Sequence, residues 1–154
     1  MSASPTSRWV VLPPHVLLVA ILLSLALDRW LPLVRLWGSP GGYVGAAIIA
    51  CGFLVNIYCA LQFRRHQTTI IPFRESSALL TEGLYRYTRN PIYVSMVVVL
   101  LGFAIAWGSL SPWIVPPLFA WIITKRFVRY EEAMLLDAFG EEYHDYCRRV
   151  RRWI

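Results

Sequence analysis

Long uncharged apolar runs alternate along this chain with short segments that hold nearly all of its charge. The first run, Trp9 to Leu27, follows a short polar lead at residues 1–8 and is closed by Asp28 and Arg29. Its length fits one crossing of a hydrocarbon layer about 30 Å thick. Trp30 to Trp37 mixes tryptophans with Pro32 and Arg35, a composition suited to the headgroup level, and Ser39-Pro40-Gly41-Gly42 reads as a helix breaker. A second uncharged run of 21 residues, Tyr43 to Phe63, is again one crossing long. Gly45 and Gly52, with Ala46 and Ala60 also small, predict close contact with another helix. Asn56, in the middle of that run, needs a hydrogen-bond partner, and a bond to a neighbouring helix is the simplest one.

Arg64-Arg65-His66 ends the second run, and a polar loop from Gln67 to Tyr87 follows, long for so small a protein. The next apolar run extends for 34 residues, from Pro91 to Thr124. As a single helix it would be about 51 Å long, far more than the layer. Trp107-Gly108-Ser109-Leu110-Ser111-Pro112 therefore divides it into a tight helical hairpin, ended by Lys125, Arg126 and Arg129. The predicted fold is all-α: a single integral membrane domain over residues 1–154, with four crossings near 10–27, 43–63, 91–107 and 112–128, a loop at 64–90 and a C-terminal part at 129–154. In that part Tyr130 to Phe139 reads as an amphipathic helix stopped by Gly140, followed by a turn or two carrying Tyr143 and Tyr146. The basic, aromatic ending Arg148 to Ile154 suits contact with anionic lipid.

Composition agrees with the pattern. The chain is 57% hydrophobic and 16% charged, too apolar for an ordinary soluble domain. A net charge of +6 raises nucleic acid as a partner, but the basic residues sit at the ends of apolar runs and no recognition motif accompanies them, so none is expected. If the loops alternate, Arg64, Arg65, Arg86, Arg89, Lys125, Arg126 and Arg129 share one face, against Arg29 and Arg35 on the other. Both termini and the polar loop are then cytoplasmic. The first run has no small-residue cleavage site and is expected to be retained. Three cysteines without CxxC spacing and three scattered histidines predict neither a disulfide framework nor a metal site.

The chemistry gathers where the polar loop meets the third run. Asn90 suits a helix N-cap and Pro91 the first helical position, where a missing N–H costs nothing. Such an end favours an anion, and Arg86 and Arg89 add positive charge just ahead of it. Glu131 and Glu132 would lie on the same face and suit an ammonium or a ribose, while tyrosines suit a purine or a cation.

Gly83-Leu84-Tyr85-Arg86-Tyr87-Thr88-Arg89-Asn90-Pro91-Ile92-Tyr93, followed about forty residues later by Glu131-Glu132-Ala133-Met134-Leu135 and Phe139-Gly140-Glu141-Glu142-Tyr143-His144-Asp145-Tyr146, resembles the isoprenylcysteine carboxyl methyltransferase and phospholipid N-methyltransferase group. The resemblance covers roughly Thr68 to Ile154. It implies an integral membrane enzyme that uses S-adenosylmethionine, with Arg89, Asn90, Pro91 and Tyr93 lining the cofactor site and Glu131 and Glu132 opposite. Tyr85 or Tyr93 would face the adenine or sulfonium. Arg89 and Glu132 are the expected catalytic residues, Glu132 or a water deprotonating an amine acceptor. The acceptor implied is lipophilic, a lipid-like amine, carboxylate or thiol that enters from the bilayer. Asn90 stands where the isoprenylcysteine enzymes have His, and Ser95 where they have Gly. An Asn holds a ligand but takes no proton, which favours a cofactor-holding role there. Two competing readings are an NADPH-dependent membrane reductase of the sterol-reductase type and a non-catalytic small membrane subunit.

Overall fold

The computed structural model describes residues 12–65 and 79–154, and all regular structure among them is helical. The first two helices are α1 (Pro13–Trp30) and α2 (Ser39–Arg65), and a short 3-10 turn (Gly83–Arg86) leads into α3 (Pro91–Trp107). A second 3-10 turn (Ser111–Ile114), α4 (Val115–Ile123), a π-helical turn (Thr124–Val128) and α5 (Arg129–Phe139) run on without leaving helical dihedral angles. α6 (Glu141–Arg149) follows a kink at Gly140, whose φ of 51° and ψ of −122° only glycine adopts readily.

The long apolar run is broken where its length requires. Gly108, at φ 75°, ends α3 in the left-handed region, and prolines 112, 116 and 117 open the next segment. The predicted breaker at Ser39-Pro40-Gly41-Gly42 is instead the first turn of α2, a position where a proline loses no helical bond. His66 and the loop through Ala78 lie outside the described residues, as does the start of the first apolar run.

α3 lies at the centre, in contact with α1, α2 and α4. Its partnership with α2 is the most extensive, because Gly45 and Gly52 meet Gly102, Val99 and Ala106 almost backbone to backbone. A Cβ added to Gly45 would stand 2.5 Å from the Ala106 nitrogen and the Gly102 oxygen. Ala46, by contrast, is exposed. Asn56 donates to Ser95 Oγ at 2.5 Å and to the Gly52 carbonyl at 3.3 Å, so the polar residue in the middle of α2 is satisfied across the α2–α3 seam. The main core joins Leu17 and Ala20 of α1, Met96 and Leu100 of α3, and Phe119 and Ile123 of α4.

α1 and the segment Gly41–Gln62 of α2 are long and apolar enough to cross a membrane, while Pro91–Trp107 is shorter. Only 28% and 17% of the first two are buried inside the chain, and Leu18, Val19, Leu22, Phe53, Leu54 and Ile57 face outward. Apolar surface on that scale fits a protein that lives in a membrane rather than in water.

One end of the bundle is stitched by backbone. The Leu36 N–H donates to the Gly108 carbonyl at 2.7 Å and the Leu110 N–H to the Val34 carbonyl at 3.0 Å. Asp28, which closes the first run as expected, is buried, accepts from Ser109 Oγ at 2.5 Å and lies 3.7 Å from Arg35. The opposite end carries the candidate site.

Candidate functional site

The site forms where three separated stretches meet: the entry to α3, the first turn of α5, and the segment after α6. Glu131 and Glu132 sit one residue apart on a helix, where successive side chains diverge by about 100°, and they face different partners. Tyr93 donates its hydroxyl to Glu131 Oε1 at 2.5 Å. Glu132 faces two guanidiniums: Arg89 Nη1 lies 3.1 Å from its Oε1, while Arg152 donates through Nε to Oε1 at 2.9 Å and through Nη2 to Oε2 at 2.7 Å.

The π-helical turn sets this orientation. Thr124 bonds back through Oγ1 to the Ala120 carbonyl at 2.7 Å, and the Arg129 N–H reaches the Thr124 carbonyl five residues back. The added residue turns everything after it about the helix axis relative to an unbroken α-helix, and so sets which way the first turn of α5 faces.

Arg89 is held from several sides. Its backbone N–H donates to the Arg151 carbonyl at 2.9 Å and its Nη1 lies 2.8 Å from Cys147 Sγ. Its Nε is buried and has no hydrogen-bond partner. Asn90 occupies the N-cap position of α3, yet its side chain makes no cap bond. Instead Nδ2 donates to the Arg152 carbonyl at 3.0 Å, a carbonyl that also accepts from Thr88 Oγ1 at 3.2 Å. Asn90 is thus tied to the segment after α6 instead of capping the helix end.

Tyr85 is buried in the 3-10 turn against Cys59 and Leu80, with its carbonyl accepting from the Tyr146 hydroxyl at 2.7 Å. Burial holds its phenol far above the ordinary tyrosine range, so it stays protonated. Pro91 starts α3 as expected and lines an apolar cavity of about 220 Å³ between α2 and α3, together with Gly52, Val55, Val94 and Ser95. Burial raises the Glu131 carboxyl above the ordinary carboxylate range; the Tyr93 hydrogen bond pulls against that shift and the Glu132 charge adds to it.

Arg152 and Cys147 belong to the site; the sequence put the basic tail on this face without singling out either residue. Arg152 is one of four arginines between positions 148 and 152, and type alone does not separate it from the exposed Arg148, Arg149 and Arg151. The available signal was spacing. Tyr143, Tyr146 and Val150 recur on one helical face, and all three are buried together, which turns the following residues toward the bundle instead of toward lipid.

The family model described as phospholipid methyltransferase matches residues 41–142, more than half of the chain and inclusive of Arg89, Tyr93 and the acid pair. The chain belongs to this family. It is 26% identical over 110 residues to a probable protein-S-isoprenylcysteine O-methyltransferase of Oryza sativa subsp. indica, a match covering 70% of this chain and 58% of the relative. The protein-S-isoprenylcysteine O-methyltransferase of Schizosaccharomyces pombe is 32% identical over 72 residues, covering 47% and 30%. That of Tribolium castaneum is 35% identical over 74 residues, covering 47% and 26%. The chain therefore spans little more than half the length of the rice relative and less of the others. No solved structure matches it.

The side chains fit S-adenosylmethionine. Two guanidiniums against one carboxylate leave a net positive charge for a carboxylate ligand, the partnerless Arg89 Nε is an unused donor, and Glu131 offers negative charge to an ammonium or sulfonium.

Proposed function

We propose that this protein is an S-adenosylmethionine-dependent methyltransferase that acts at a membrane on a lipophilic acceptor. The observation that carries the reading is the Arg89–Glu132 ion pair at 3.1 Å, which joins the two sequence blocks of the resemblance into one half-buried site beside Tyr93 and Glu131.

When bound, the sulfonium supplies an electrophilic methyl group; the rest is positioning. Arg89 holds the carboxylate of the cofactor, and Glu131 holds its ammonium. Tyr93 and Tyr85 border the reacting region and keep it poor in water. A carboxylate or thiolate acceptor reaches the site ionised and needs no base. An amine must lose a proton, and a water is the better place for it, because both oxygens of Glu132 already accept from N–H donors and Glu131 is taken up by Tyr93 and the cofactor ammonium. The acceptor enters sideways from the bilayer. In this reading α1, α2, α3 and the α4 segment all cross, and the arginine-rich end of the bundle is cytoplasmic.

The test is calorimetric binding of S-adenosylmethionine and its demethylated product to the detergent-purified protein, with NADPH as control ligand. Micromolar binding that is lost in Arg89→Ala and Glu131→Ala is the expected result. Absence of binding, or binding of NADPH in its place, would overturn the reading.

A further inference from the structure

The segment after α6 lies beyond the residues matched by the family model, yet it completes the ionic cluster. Val150 is buried, Trp153 packs against the main core, and between them Arg152 touches two parts of the site at once. Its carbonyl accepts from Asn90 Nδ2 and Thr88 Oγ1, and its guanidinium grips Glu132 through two parallel bonds. A guanidinium held at both its backbone and its head has lost most of its freedom before any ligand arrives, and such preorganisation is what a binding residue needs. The charges do not balance: Arg89 and Arg152 face the single carboxylate of Glu132, with side-chain exposures of 16%, 39% and 16%. A structural ion pair needs only one arginine. A second one, with Nη1 left over from its bonds to Glu132, places uncompensated positive charge at the mouth of the site.

We propose that Arg152 is a cofactor-binding residue that forms with Arg89 a two-arginine clamp for the amino-acid carboxylate of S-adenosylmethionine. Glu132 is the shared post that spaces the two guanidiniums. This rests on the methyltransferase reading, and it assigns Glu132 to the arginines and the cofactor ammonium to Glu131.

The test compares two ligands that differ by the carboxylate alone, S-adenosylmethionine and its decarboxylated analogue, on the full chain in detergent. For the unaltered protein, the carboxylate is expected to tighten binding by roughly 10- to 100-fold, the range for charge-assisted hydrogen bonds. In Arg152→Gln that advantage should fall to within about threefold, with binding of the decarboxylated ligand nearly unchanged. Arg152→Lys, which keeps the charge but loses the fork, should fall in between. A purely structural role would weaken both ligands equally and leave the advantage intact, which would overturn the proposal. If Arg152→Gln binds neither ligand, Arg152→Lys decides: a narrowed advantage supports the clamp, and an unchanged one overturns it. If the unaltered protein binds neither, the methyltransferase reading itself falls, and the clamp with it.

Discussion

Glu131 spends its hydrogen bond on Tyr93 in a place that water reaches poorly, and its titration should report that. In the unfolded chain a glutamate ionises near pH 4.3. In the folded chain burial holds the proton to higher pH. Between the two values the folded state binds more protons than the unfolded one, so stability falls as pH rises through that window. Glu131→Gln, which cannot ionise, should lack this fall. Melting temperatures in detergent, recorded from about pH 4 upward, should therefore converge at the acid end and favour the Gln variant increasingly as pH rises. Parallel curves for the two proteins would show that burial does not raise the titration of Glu131. At this scale the candidate residues were legible as types: a Tyr, two Arg and paired acids near apolar run ends mark a polar site. Their pairing was not legible, since nothing in one sequence says that Glu131 and Glu132 serve different partners.

Helices α2 and α3 show how far element-scale reading reaches. Gly45 and Gly52 lie seven residues apart, the spacing of one helical face, and the close contact they predict is formed. Their obstacles differ, however. A Cβ at Gly45 meets the backbone of Gly102 and Ala106, which cannot step aside, whereas at Gly52 it first meets the end of the Val99 side chain at 2.6 Å. Gly45→Ala should therefore destabilise the protein by about 2–3 kcal/mol and Gly52→Ala by about 1–2 kcal/mol, within the range for overpacking. Detergent melting of the two variants checks the order, and the reverse order would mean that the α2–α3 seam yields at its glycine end. Helix limits were readable because runs, prolines and glycines punctuate them: Pro91 opens α3, Gly108 closes it and Gly140 kinks the chain. The π-helical turn was not readable, because Thr124–Val128 has the composition of any helix leaving an apolar layer. Tertiary demand at the acid pair, more than local propensity, fits that extra residue.

Across the whole molecule the two ends of the bundle are built from different bonds. The end at Asp28, Arg35 and Ser109 is joined by main-chain hydrogen bonds and one buried carboxylate. The end at Arg89, Glu132 and Arg152 is joined chiefly by side chains from three distant segments, the ion pairs of Glu132 together with the bonds of Thr88, Asn90 and Tyr146 to backbone carbonyls. Asp28→Ala should cost about 1–3 kcal/mol by stranding Ser109 and releasing Arg35, yet leave affinity for S-adenosylmethionine within about twofold, because it acts at the other end of α3. Melting and calorimetry on the same preparation separate the two effects; a tenfold loss of affinity would show that the ends are coupled. This division follows from where charge was placed along the chain, and it was visible in the sequence as basic loops. The docking of residues 150–153 was not, since a basic ending suits a lipid surface equally well.

That docking has a consequence for how the protein comes into being. In the four-crossing reading the helices enter a membrane one after another as they are synthesised, but the ionic cluster has no second arginine until residue 152 has left the ribosome. A chain stopped ahead of Arg152 would keep every long apolar helix and lack half of the pairing around Glu132. Purification tags meet the same constraint: one fused close behind Arg152 hangs beside a side chain of the ionic cluster, and one placed ahead of α1 does not.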